Sequence, residues 1–113
     1  MTLALQKGAL FQQDFARQAG WYLCHANDEI AQGYLDCLNE TLRQLAIHPA
    51  VGRVRRYRHP ELRGLRSFRV NRPFQKHLIF YRHDQTTLHA IRVIHGARDL
   101  PRRLLEPPGE NDD

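Results

Sequence analysis

Near its end the chain reads "IRVIHGARDLPRRLL", from Ile91 to Leu105, and several of these side chains could do chemistry. His95 could take or give a proton, since an unperturbed imidazole titrates near a pKa of about 6.5. Arg98, Arg102 and Arg103 could grip phosphates or carboxylates with their planar forks. A plainer arrangement competes with each role. His95 could cap the last strand and bond to backbone, and Arg98 could pair with Asp99, an exposed contact worth about 0–1 kcal/mol. Histidines at 77, 83, 89 and 95 recur every six residues, and a hairpin could bring His83 and His89 together. A metal site, however, needs three or four converging ligands, usually with carboxylate or thiolate help. Only Asp84 is near, and it belongs to a turn, so neither a metal nor any other cofactor is expected. Further upstream, nine cations between Arg53 and Lys76, Arg66 and Arg69 among them, face a single acid, Glu61. Such self-repulsion costs stability unless a polyanion or an acidic protein is the partner.

The elements that must position these residues are legible from periodicity. "TLALQ", Thr2–Gln6, fits a short edge strand. From about Gly8, Phe11, Phe15, Ala19 and Tyr22 recur at spacings of four, four and three, and with Leu23 they make one apolar helix stripe. "HAND" interrupts it. Asn27 is a suitable N-cap, and Asp28 and Glu29 suit the positive end of a helix dipole. The second helix carries Ile30, Tyr34, Leu38, Leu42 and Leu45 on one face, and ends before Pro49 because a residue preceding proline is pushed out of helical geometry. The two helices form an antiparallel hairpin. His48–Gly64 reads as a long arginine-rich loop, and "LRSFRV", "KHLIFYRH" and "TTLHAIRVIH" read as strands, the last two joined at "DQT". In "KHLIFYRH", Leu78 and Phe80 alternate against Ile79 and Tyr81. Apolar residues on both faces predict a sheet covered on both sides. One side falls to the helix hairpin, and Ile79 and Tyr81 are assigned to the other, awaiting a partner. Gly96 lets the chain leave the sheet, and Asp99 is placed to cap a short helix bearing Arg102 and Arg103.

A chain of 113 residues fits one domain, taken as residues 1–105, followed by an acidic, disordered tail at 106–113. Cys24 and Cys37 match no zinc spacing and read as core or partly buried thiols in a reducing compartment. The first residues lack the pattern of a signal peptide, and no window reaches the ~18 apolar residues of a membrane span, so a cytoplasmic location is expected. Charge is divided unevenly. Residues 1–48 hold three basic and five acidic side chains, whereas residues 49–105 hold fourteen basic and three acidic, a balance of +11.

The order of the helix hairpin, "HPAVGR", "LRSF", "HLIFYR" and "IRVIHGARDLPRRL" resembles the ParE branch of the RelE/ParE superfamily, toxins of bacterial type II toxin–antitoxin pairs. The resemblance runs from about Phe11 to Leu105, with "VNRPFQKH" several residues longer than the usual link between its two strands. It implies an α/β (α+β) fold in which a helix hairpin packs on a small twisted antiparallel sheet, followed by a short C-terminal helix. It also implies an antitoxin that wraps and neutralises the toxin in a hetero-oligomer. ParE-like members block DNA gyrase by binding, without chemistry, membrane contact or sequence-specific DNA binding of their own. RelE-like members cut messenger RNA on the ribosome, and here that activity would fall to Arg69, His95 and Arg98. The RelE-like branch keeps a tyrosine six residues after that arginine. This chain has Leu104 there, and no tyrosine follows Tyr81. The gyrase reading is therefore preferred, with Arg66, Arg69, Ile79, Tyr81, Arg98, Arg102 and Arg103 as the surface for target or antitoxin. A toxin fold retained as a non-toxic, antitoxin-binding module is the third possibility.

Overall fold

The structure is a computed structural model and describes residues 2–96 and 100–108. It opens with strand β1 (Ala4–Lys7), followed by helices α1 (Ala9–His25) and α2 (Asp28–Ile47). Strands β2 (Arg53–Val54), β3 (Arg66–Arg69), β4 (His77–His83) and β5 (Thr87–His95) and the short helix α3 (Arg102–Leu105) complete it. The expected helix boundaries hold for local reasons. The Asn27 side chain accepts the Ile30 N–H at 2.8 Å, as an N-cap should, and α2 stops before Pro49. The "DQT" hairpin is pinned by Asp84, whose carboxylate accepts the N–H groups of Thr86 and Thr87, both at 2.8 Å. Those bonds hold its pKa down at about 2. α3 follows Pro101, and Asp99, expected as its cap, lies outside the described residues.

The sheet order is β1-β5-β4-β3-β2. Four strands are antiparallel, as expected, but β1 joins β5 in parallel, so the sheet is mixed. β2 falls inside the stretch read as a loop, because two residues are too few to show a period.

The hairpin α1–α2 packs on one face of the sheet, where Phe11, Tyr34, Leu38, Leu42 and Leu45 meet Ile79, Tyr81, Leu88, Ala90 and Val93. The other face carries a smaller core of Leu78, Phe80 and Ile94 beneath Leu62, Leu65 and Leu104, with Tyr57, Ile91 and Leu100 at its margin. The arginine-rich loop and α3 are therefore the cover on that side. This corrects the expectation for Ile79 and Tyr81, which are fully buried against the helices instead of waiting for a partner. Alternation shows which residues share a face but not which face the helices take.

Tyr81 also explains the glycine of "HPAVGR". Its hydroxyl donates to the Pro49 carbonyl at 2.7 Å and accepts the Gly52 N–H at 3.0 Å. A Cβ at position 52 would lie 2.3 Å from that oxygen, so the turn admits only glycine as it stands. Of the two cysteines, Cys37 is half-buried, but Cys24 is exposed on α1, not in the core.

Candidate partner-binding surfaces

The end of β5 is held by a buried polar clip. β1 pairs with β5 only as far as Ala90, which leaves the edge groups of Val93 without a strand neighbour. Side chains of α1 take the place of that strand. Asp14 accepts the Val93 N–H at 3.0 Å, and Gln18 donates to the Val93 carbonyl at 2.9 Å. A bulge in β5 sets Arg92 opposite Phe80, and Arg92 grips Asp14 with a bidentate fork at 2.7 and 2.9 Å. The remaining guanidinium nitrogen donates to the carbonyls of Arg103, Leu104 and Glu106 at 3.1, 3.1 and 2.7 Å. Arg92 and Asp14 are 3% and 4% exposed, so this pair sits in a medium where a missing partner is expensive. The clip ties α1, β5 and the C-terminal segment into one body. Glu106, expected to open a disordered tail, is part of it. Neither Asp14 nor Arg92 was singled out from sequence. The available signal was polarity in apolar phase: Phe11, Asp14, Gln18 and Tyr22 follow at three, four and four, and Arg92 interrupts the otherwise apolar "IRVI".

The clip forms one wall of a groove of about 870 Å³ that runs between α1, the end of β5 and the C-terminal segment. Trp21, 56% exposed, lies along it with its ring stacked on His25 at 4.6 Å. Arg17, Arg102 and Arg103 supply positive charge. Arg102 pairs with Glu106 at 2.8 Å, and Arg103 donates to the His95 carbonyl at 2.9 Å. At the floor, His77 meets Tyr22 through a 2.8 Å hydrogen bond, while its buried Nδ1 has no hydrogen-bond partner among the described residues. Burial, then the neighbouring His95 ring 4.8 Å away, brings the His77 pKa down to about 4. His95 is lowered too, by burial and then by Lys76 and Arg103. The groove thus joins an exposed aromatic platform to arginines.

The other residues proposed from sequence are scattered. Arg66 is half-buried and holds the carbonyls of Ala50 and Gly52 at 3.1 and 2.9 Å, a structural task. Arg69 is exposed and donates to the Gln75 carbonyl at 3.1 Å. Arg98 lies outside the described residues. Strand register separates Arg69 from His95. Arg69 pairs with Leu78, on the face away from the hairpin, whereas His95 pairs with His77, on the hairpin face. The two side chains therefore start from opposite faces of the sheet. The register also parts His83 from His89, which pair with Leu88 and Arg82 and so point to opposite faces. Among the described residues no three metal-ligating side chains cluster.

A helix hairpin on a five-stranded sheet, with a basic, aromatic groove at its edge, defines a small α/β protein. Residues 8–100 match the model of the ParE toxin of the type II toxin–antitoxin system parDE, and the chain belongs to that family. Among solved structures it is similar to a chain of the chromosomal ParDE TA system from P. aeruginosa, with a TM-score of 0.68 and 16% identity over 85% of this chain and 98% of that one. At that identity the likeness is one of fold. No curated protein matches the chain. No helix among the described residues is long and apolar enough to cross a membrane.

Proposed function

We propose that this ParE-family toxin acts in the cytoplasm by binding DNA gyrase and arresting it, and that a cognate antitoxin neutralises it in a toxin–antitoxin complex. The observation that carries the reading is the groove between α1 and the C-terminal segment. Interface energy concentrates on exposed Trp and Arg anchors, and here Trp21 stands beside Arg17, Arg102 and Arg103. The antitoxin is expected to lay an amphipathic, acidic segment along this groove, since the second sheet face is already covered by the chain itself. Gyrase is expected to meet the corner that carries Arg102 and Arg103, with Arg98 next to it in sequence.

Binding without chemistry is preferred over messenger cleavage because Leu104 stands where the RelE-like branch keeps its tyrosine, and because Arg69 and His95 start from opposite faces of the sheet although proton transfer and phosphate neutralisation must act on the same group. Purified protein added to gyrase should inhibit supercoiling, and expression without antitoxin should produce filamentation and DNA-damage signalling. Arrest of translation first, with messages cut within codons, would put a ribosome-dependent ribonuclease in its place. A folded protein that affects neither gyrase nor growth, yet still binds its antitoxin, would be a regulatory module.

A further inference from the structure

We propose that the arginine loop is a second binding surface, separate from the groove, and that it takes the phosphate backbone of duplex DNA. This goes beyond the gyrase reading and does not depend on it. Eight arginines and one lysine lie between Arg53 and Lys76. Arg53, Arg56, Arg58, Arg63 and Arg69 are all exposed. Among the described residues, ion pairs join Arg43 to Glu40, His89 to Asp84, Arg92 to Asp14 and Arg102 to Glu106, and none involves a cation of this run. Glu61 sits in the loop without quenching it.

The loop is nonetheless well fixed. Arg55 donates to the Ser67 hydroxyl at 2.8 Å and lies over the Phe80 ring, 5.8 Å from its centre. Arg82 donates to the carbonyls of Arg63 and Glu61, and Leu62 and Leu65 are buried in the second core. Carbonyls and apolar packing thus hold the loop in shape, while its outward arginines keep their charge. A cationic surface ordered in advance binds a polyanion with little further loss of freedom. Among the described residues none of the run from Arg53 to Lys76 lines the groove, although Leu62 of the loop packs in the second core with Leu104 of α3.

Composition selects the ligand. Protein–protein interfaces exclude charge from their centres and anchor on aromatic residues, whereas DNA-binding surfaces are strongly positive. Among the described residues, the exposed large apolar residues within the loop are Val51 and Val54. Single-stranded nucleic acid needs exposed rings on which bases stack. Here Tyr57 is half-buried at the second core, and Phe68 packs against the hairpin-side core. A duplex, read through its phosphates alone, is what remains.

The test uses the whole protein and a fluorescently labelled duplex of arbitrary sequence, with affinity measured by anisotropy across a salt series. The expected slope of log affinity against log salt becomes shallower by about two in the variant Arg56→Ser/Arg58→Ser, about 0.9 for each phosphate no longer neutralised. An equal loss of charge elsewhere, Lys7→Ser/Arg43→Ser, should leave the slope unchanged. Arg56→Lys/Arg58→Lys keeps the charge and should restore it, which separates the missing cations from damage to the fold. Equal effects from the two serine pairs would reduce the surface to diffuse net charge and overturn the proposal. So would tighter binding of a single strand, or competition by poly-glutamate as effective as that by unlabelled duplex, which would hand the surface to an acidic protein.

Discussion

At the scale of single residues, the least forgiving positions are those where one atom has several tasks. The Tyr81 hydroxyl serves both Pro49 and Gly52. Tyr81→Phe leaves a buried N–H without an acceptor and should cost about 1–3 kcal/mol in denaturant unfolding. Gly52→Ala, which forces a methyl into the same ring, should cost a similar amount by overpacking. His77 sets a pH dependence. Its folded pKa of about 4 lies below the unfolded value, so the unfolded chain binds the proton first as pH falls. Stability should be complete above about pH 6.5 and decline toward pH 4, by about 2–3 kcal/mol from this residue. His77→Gln, which keeps a partner for Tyr22, should flatten that decline. An unchanged profile in unfolding curves taken from pH 4 to 7 would remove His77 as its source.

At the scale of elements, the Arg92–Asp14 clip decides whether α3 stays on the domain. Asp14→Ala leaves Arg92 buried without the carboxylate that balances its charge and strips the Val93 N–H of its acceptor. The expected loss is about 3–5 kcal/mol. The double change Asp14→Leu/Arg92→Met removes both charges and should recover much of that stability. It should not recover the fixing of α3, whose carbonyls have lost their donor. Hydrogen exchange across 100–106 should then rise in the double variant while the amides of β4 and β5 stay protected. Equal protection throughout would show that apolar packing of Leu104 and Leu100 suffices. The clip was invisible as a unit in sequence because its two halves lie 78 residues apart.

For the whole molecule, charge and apolar anchoring divide the labour of recognition. Antitoxin association should slow several-fold as salt rises from about 50 to 300 mM, because steering is a long-range effect. Dissociation, governed by the buried surface around Trp21, should change far less. If salt acts mainly on the dissociation rate in stopped-flow or surface measurements, charge pairs hold the complex and the groove does not. For the target, Arg98→Ala, Arg102→Ala and Arg103→Ala together should lower thermal stability only slightly, since Arg102–Glu106 is an exposed pair of little worth and the bond from Arg103 to the His95 carbonyl is also exposed. The same protein should lose most of its growth inhibition. A variant that folds and remains fully toxic would release this corner from any role with gyrase.

The order of the helices and of every strand but β2, the hairpin α1–α2, the Asn27 cap and the β4–β5 turn were determined by the sequence alone, because each rests on spacings of a few residues. The family resemblance and the basic second half were also legible there, being properties of order and composition. Tertiary structure decided the rest. Strand alternation made Ile79 and Tyr81 partners but could not say that the helices lie on their side. Only the return of the arginine loop and α3 shows that the second face is closed by the chain itself. The parallel seat of β1 on β5, the separation of Arg69 from His95, and the grip of Arg92 on both Asp14 and the C-terminal carbonyls depend on meetings between distant segments. A period can mark a side chain as facing the core, as it does Asp14, but it does not name the distant segment that the side chain meets.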